Sequence, residues 1–113
     1  MLPKIARIAW LYDFYGKLLT SKQKEIVELY CHHDLSLGEI AEEYGTSRQA
    51  VYDVLKRAGR TLEELESKLG LLNKFLTQRK DIETVLNLLA KYRASGEMCY
   101  LTEAEEYLKK LLN

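Results

Sequence analysis

From residue 51 onward the apolar residues step by alternating intervals of four and three: Val51, Leu55, Ala58, Leu62, Leu65, Leu69 and Leu72. That interval keeps one stripe on one face of an α-helix, and no strand can present it. The spacing predicts one long helix over about 48–69, on the order of 30 Å at 1.5 Å per residue. Gly59 costs about 1 kcal/mol relative to alanine in a helix interior, and Thr61 with Glu64 could start a new helix. The phase nevertheless runs straight through. A chain of 113 residues can hardly sheathe such a rod. Its distal half is therefore expected to pack on another helix, from this chain or a second copy.

The rest of the chain carries the same period. Ile5, Ile8, Tyr12, Tyr15 and Leu19, widened by Leu11 and Leu18, predict a first helix over 3–18, with Pro3 at its tolerant first position. Thr20 and Gln23 form a capping box that opens a helix from Ser21 to about His33, burying Ile26, Val27, Leu29 and Tyr30. Ser36 and Glu39 repeat the box and start a short helix that stops near Gly45, with Ile40, Ala41 and Tyr44 inward. Ser47 then caps the long helix. In the tail, Ile82, Val85, Leu86, Leu89 and Tyr92 mark a helix face ending near Ser95 and Gly96. Thr102 and Glu105 look like a further capping box, followed by Tyr107, Leu108, Leu111 and Leu112. β-Branched residues occur singly, so strand signals are nearly absent. The expectation is an all-α fold. Residues 1–72 form a helix-turn-helix domain with an N-terminal helix and a long recognition helix, and 73–113 a C-terminal helical extension.

Composition narrows the function classes. With 47% hydrophobic and 30% charged residues, the chain reads as globular with a single core. The longest apolar stretch, Ile8 to Tyr12, is far short of the roughly 20 residues needed to cross a bilayer. Lys4 and Arg7 follow Met1 without a signal core, and two cysteines cannot staple a framework. A cytoplasmic protein without membrane insertion is expected. Charge balances at 17 basic and 17 acidic residues, unlike a strongly basic nucleic-acid binder.

Residues 36–57 are the most informative stretch. Two helices of these lengths joined by a tight turn holding Gly45 make a helix-turn-helix. Ala41 is small enough for the second helix to cross closely, and Ile40, Val51 and Leu55 fill the wedge between the helices. Ser47, Arg48, Gln49, Tyr52, Lys56 and Arg57 are left on the outer face, at the end of a recognition helix that meets base edges. Arg48 and Gln49 have the donor geometry for guanine or adenine. Lys56, Arg57 and the hydroxyls of Ser36, Thr46 and Ser47 suit phosphate oxygens. Double-stranded DNA is the expected partner. Asp34, Glu39, Glu42 and Glu43 precede this face, so one copy should bind weakly and a homodimer presenting two recognition helices is expected.

Leu19-Thr20 with Gln23, Leu29-Tyr30, Ser36-Leu37 with Glu39-Ile40-Ala41, and Ser47-Arg48-Gln49-Ala50-Val51 together resemble the promoter-reading C-terminal domain of bacterial sigma factors. More specifically, Leu11-Tyr12-Asp13-Phe14-Tyr15, Leu18-Leu19-Thr20, and Ser47 through Asp53 followed by Lys56-Arg57 resemble the YlxM family of small bacterial helix-turn-helix proteins. Val54 stands where that family commonly carries asparagine. The resemblance covers about residues 7–72. It implies a regulator or accessory of the signal recognition particle pathway. The alternative it leaves open is an adaptor contacting that particle's protein or RNA, with the helix-turn-helix as scaffold.

Other chemistry finds little support. Cys31-His32-His33-Asp34 is a run of metal-capable side chains, but neighbours on a helix point about 100° apart and do not converge on one ion. A buried Cys31 and two helix-end histidines fit better, and no metal or cofactor is expected. Glu39, Glu42 and Glu43, and Glu63, Glu64 and Glu66, fall on predicted solvent faces. No phosphate loop or nucleophile motif is present, so an enzyme is not expected. Trp10 and Phe14 lie off the main stripe of helix one. They are either a partner-facing pair or part of a helix buried all round, and helix one and the long seam are the candidate dimer surfaces.

Overall fold

The structure is a computed structural model and describes residues 4–113. Among the described residues it is all-α, with six helices and one 3₁₀ turn: α1 (Ile5–Tyr15), the turn at 16–18, α2 (Ser21–Cys31), α3 (Leu37–Tyr44), α4 (Arg48–Leu69), α5 (Leu71–Ser95) and α6 (Met98–Leu111). It divides into two compact units, one ending at Leu72 and one spanning Asn73–Asn113.

In the first unit α1, α2 and α3 all pack on α4. Thirteen buried residues form one cluster, and Leu11, Val27, Ile40, Leu55, Ala58 and Leu62 lose all solvent contact. The caps explain where the helices begin. Thr20 Oγ1 accepts from the Gln23 amide at 3.2 Å while Gln23 Oε1 accepts from the Thr20 amide at 3.1 Å. Ser36 and Glu39 do the same at the start of α3. Each reciprocal pair satisfies two N–H groups that would otherwise lack partners.

The predicted first helix is split. α1 ends at Tyr15, and residues 16–18 tighten into a 3₁₀ turn. The Tyr12 ring lies so close over Gly16 that a Cβ there would sit 2.8 Å from Cε1. Pro3 lies outside the described residues. Trp10 and Phe14 both pack, partly buried, on the core, which favours the buried reading of helix one.

The long helix occurs as predicted from Arg48 to Leu69, but the seam is shorter than its sequence suggests. Val51, Leu55, Ala58 and Leu62 are buried and Leu65 partly so, whereas Leu69 is 56% exposed. Gly70, left-handed at φ 63°, ends α4, and Leu72 is buried from α5 instead. The distal half of α4 is covered within this chain. Arg7 of α1 meets Glu63 there, with Nε to Oε1 at 2.6 Å. The Tyr15 hydroxyl donates to Glu66 at 2.6 Å.

Three further expectations need correction. Glu66 is not on a solvent face but buried. Its carboxylate accepts from Tyr15 and from the Leu72 amide at 3.0 Å, while the Tyr15 oxygen accepts from the Leu71 amide at 3.1 Å. Tyr44 is at the rim of the core rather than inside it, because its hydroxyl reaches Glu25 at 2.8 Å. Cys31, Leu29 and Tyr30 are half-buried, since α2 presents only Ile26 and Val27 fully inward.

The second unit has a much smaller interior, with Val85, Leu88 and Ala104 buried and Tyr100 and Tyr107 packed against them. The predicted face of α5 splits, with Val85 inside and Ile82, Leu86 and Leu89 exposed. Those positions span about 100° of the helix, more than one neighbouring helix can cover. Leu108 and Leu112 are likewise exposed. The predicted capping box at Thr102 does not form. Gly96, at φ 71°, reverses the chain and α6 starts at once from Glu97. Thr102 is then inside the helix, its hydroxyl donating to the Met98 carbonyl at 3.2 Å.

Candidate nucleic-acid interface

The turn between α3 and α4 is built by two devices. Gly45 closes α3 in the left-handed region, φ 64°, where a Cβ would be strained, and its amide donates back to Glu42. Ser47 then opens α4 by accepting from the Ala50 amide at 3.1 Å. Only two residues separate the left-handed glycine from the first turn of α4. Two helices crossed at such a turn present the beginning of the second one to solvent.

Thr46, Ser47, Arg48 and Gln49 are exposed at that tip, as are Ser36 at the start of α3 and Lys56 and Arg57 further along α4. Tyr52 is half-buried. The set falls into two groups. Ser36, Thr46 and Arg48 line one groove of about 390 Å³, together with Gly38, Glu39, Ala41 and Glu42. Gln49 and Lys56 follow a different stripe along α4, on which Asp53 also lies. Gln49 Nε2 donates to Asp53 Oδ1 at 3.0 Å. Arg60, exposed and seven residues beyond Asp53, continues this stripe. The helix-turn-helix motif ends at Arg57 and so does not point to Arg60, although the helical period is enough to add it.

Arg48 does not stand away from the surface. Its guanidinium lies across Gly38, so closely that a Cβ on that residue would be 2.9 Å from Nε. The missing side chain at position 38 makes room for the arginine over the first turn of α3. Nearby, the backbone amide of Ser36 donates to Glu39 and holds its carboxyl below the usual range. The groove thus pairs one guanidinium with carboxylates at its edge. Both cap serines use an oxygen lone pair on a helix amide, which leaves each O–H free to donate to an anion.

These features place a tight-turn helix pair on a three-helix support, and comparison with known proteins gives it a family. Residues 2–99 match the UPF0122 family, described as "Putative helix-turn-helix protein, YlxM / p13 like". The chain belongs to this family. It is 48% identical over 111 residues to a UPF0122 protein of Desulforamulus reducens, covering 98% of this chain and 95% of that one. It is also 48% identical over 107 residues to the UPF0122 protein YlxM of Bacillus subtilis, covering 95% and 97%. A third relative, from Geobacillus kaustophilus, is 48% identical over 102 residues, covering 89% and 93%.

The family is described by its helix-turn-helix and not by a reaction. The run from Cys31 to Asp34 gathers nothing around it, and among the described residues no group of three His, Cys, Asp or Glu side chains is placed to hold a metal. Burial pushes the Cys31 thiol up to about 11, away from the reactive thiolate form. Among the described residues no helix is long and apolar enough to cross a membrane.

Proposed function

We propose that the protein is a DNA-binding regulator of the helix-turn-helix type, acting as a homodimer in the cytoplasm and serving the signal recognition particle pathway. The observation that supports this reading is the exposed tip of α4, where Ser47, Arg48 and Gln49 project beyond a two-residue turn while Val51 and Leu55 anchor the same helix in the core. In this reading residues 1–72 are the recognition domain and 73–113 an extension. Gln49 reads a base edge after exchanging its bond to Asp53 for one to the base. Ser36, Thr46, Ser47 and Arg48 hold phosphate at the groove beside Gly38, and Tyr52, Lys56 and Arg57 meet the backbone further along.

The test is fluorescence anisotropy against a duplex selected from random-sequence DNA. Arg48→Ala combined with Gln49→Ala is expected to weaken specific binding by about 1–3 kcal/mol for each base edge no longer read. Lys56→Ala with Arg57→Ala should weaken all duplexes alike and flatten the salt dependence. Unchanged affinity in both double variants would remove this face from the mechanism.

A second reading has one observation of its own. Glu39 and Glu42 edge the groove that holds Arg48, an arrangement that repels phosphate and suits a basic protein surface. In this reading the molecule is an adaptor contacting a component of the particle, with the helix-turn-helix as scaffold. A partner bound through apolar packing should hold nearly constant as ionic strength rises, whereas duplex binding must fall steeply.

A further inference from the structure

We infer that the α5 face carrying Ile82, Leu86 and Leu89 is the surface on which a second copy of this chain docks, with the two α5 helices antiparallel. This deepens the homodimer reading above and rests on it. It also moves the interface. Helix one and the α4 seam, the dimer surfaces suggested by the sequence, are used up inside the first unit.

The second unit is where apolar surface remains. Its 41 residues bury only Val85, Leu88 and Ala104, far too little for a unit of that size to be stable on its own hydrophobic core. On α5, Ile82 is 49% exposed, Leu86 61% and Leu89 37%. They follow one another at intervals of four and three, the seam spacing of a coiled coil. The stripe lies about 100° around the helix from the face that meets α6. Leu86 and Leu89 also open onto a groove of about 500 Å³ with Ala90, Tyr92, Arg93 and Leu101, whose walls are almost wholly apolar.

Charge selects the occupant. The stripe is continued by Arg79 at one end and Arg93 at the other, each seven residues from Leu86. Two copies in parallel would set Arg79 against Arg79 and Arg93 against Arg93. The antiparallel arrangement avoids both oppositions. It pairs Ile82 with Leu86 of the second copy and lays the methylene stem of Arg79 along Leu89. Arg79 also stays within 3.6 Å of Glu83 on its own helix, so its charge is met before the copies join. Basic and acidic residues are nearly balanced in this unit, so it offers neither a field for nucleic acid nor self-repulsion. From residue 75 to 93 the contact runs about 27 Å, enough for a modest two-helix interface but not a permanent one.

The experiment uses the full chain in sedimentation equilibrium over a concentration series. The parent is expected to be a reversible dimer. Leu86→Glu should raise its dissociation constant at least about tenfold, with helicity by circular dichroism unchanged because the residue is exposed. Leu18→Glu, at an exposed leucine on the 3₁₀ turn of the first unit, should leave it unchanged. In a Cys31→Ser, Cys99→Ser background, a nitroxide at Arg93→Cys should report an inter-copy distance of about 27 Å, against less than about 15 Å for a parallel pair. A monomer at every concentration overturns both this inference and the homodimer reading. A dimer indifferent to Leu86→Glu but broken by Leu18→Glu or by neither overturns the α5 face alone. A short nitroxide distance overturns the antiparallel arrangement. None of these outcomes bears on duplex binding by α4, which the anisotropy experiment reads separately.

Discussion

The two units are built from the same secondary structure and stabilised to very different degrees. Up to Leu72, thirteen buried residues form one cluster, and α4 is covered on three sides by α1, α2 and α3. Beyond it, two helices share three buried residues and leave Phe75, Leu76, Ile82, Leu86, Leu89, Met98, Leu108 and Leu112 in solvent. An amphipathic helix is stabilised mainly by what covers its apolar face. A four-helix set can supply that cover internally, and a helical hairpin cannot. The first unit therefore has the material of an independent domain, while the second has the surface composition of half an interface.

Core truncation separates the two most sharply. Leu55→Ala should cost about 2–5 kcal/mol, since Leu55 is fully enclosed. Leu88→Ala, in the thin interior of the second unit, should cost about 1 kcal/mol, because water can reach much of what it leaves behind. Urea denaturation followed by tryptophan fluorescence, with hydrogen exchange to assign each change to its unit, would measure both. Equal losses would erase the contrast.

Next in size is Glu66→Ala. It strands the Leu72 amide and the Tyr15 hydroxyl inside the first unit and is expected to cost about 1–3 kcal/mol. Glu66→Gln retains a carbonyl oxygen for both donors and should recover part of that loss in the same denaturation series.

Alkaline pH gives a smaller effect confined to the first unit. Burial, with help from the Glu28 carboxylate, pushes Tyr12 from 10 up to about 12, and burial also raises Tyr15. In the unfolded chain both hydroxyls ionise near 10, while in the fold they stay protonated. The stability they contribute is thus complete below about pH 10 and is lost as pH rises toward 12. A melting temperature falling between pH 9.5 and 11.5, and falling less in Tyr12→Phe, is the expected result. Exchange in α6 should respond little over the same range.

The smallest change is at Arg7. Both partners of its ion pair with Glu63 are more than two-fifths exposed, so Arg7→Ala should cost less than about 1 kcal/mol despite the 2.6 Å separation. A larger loss would mean that the outer side of α1 contributes more than its exposure suggests.

What could be read from the chain alone follows the range of the forces involved. Capping is local, and Thr20 with Gln23, Ser36 with Glu39, and Ser47 all act as their spacing predicts. The exception at Thr102 is instructive. Its spacing is correct, but Gly96 had already ended α5 and α6 was under way, so the hydroxyl turned back to a carbonyl. The seam was legible up to Leu65. Past it, Leu69 and Leu72 keep the phase while belonging to different helices, which no periodicity could disclose. Glu66 was illegible for another reason. It sits in a glutamate-rich stretch that reads as solvent-facing, and its decisive partner, Tyr15, is 51 residues away. At the α3–α4 tip the sequence indicated which side chains are exposed. It could not show that Gln49 is engaged by Asp53, or that Arg48 lies back over Gly38.

That last placement bears on how the tip would receive a ligand. A free arginine has many rotamers, and capturing an anion with it means freezing most of them at the moment of contact. Here the bare backbone at position 38 forms a cradle that restricts the side chain beforehand. An incoming negative group therefore meets an arm already laid along its track, and any larger residue in the cradle would set that arm swinging again.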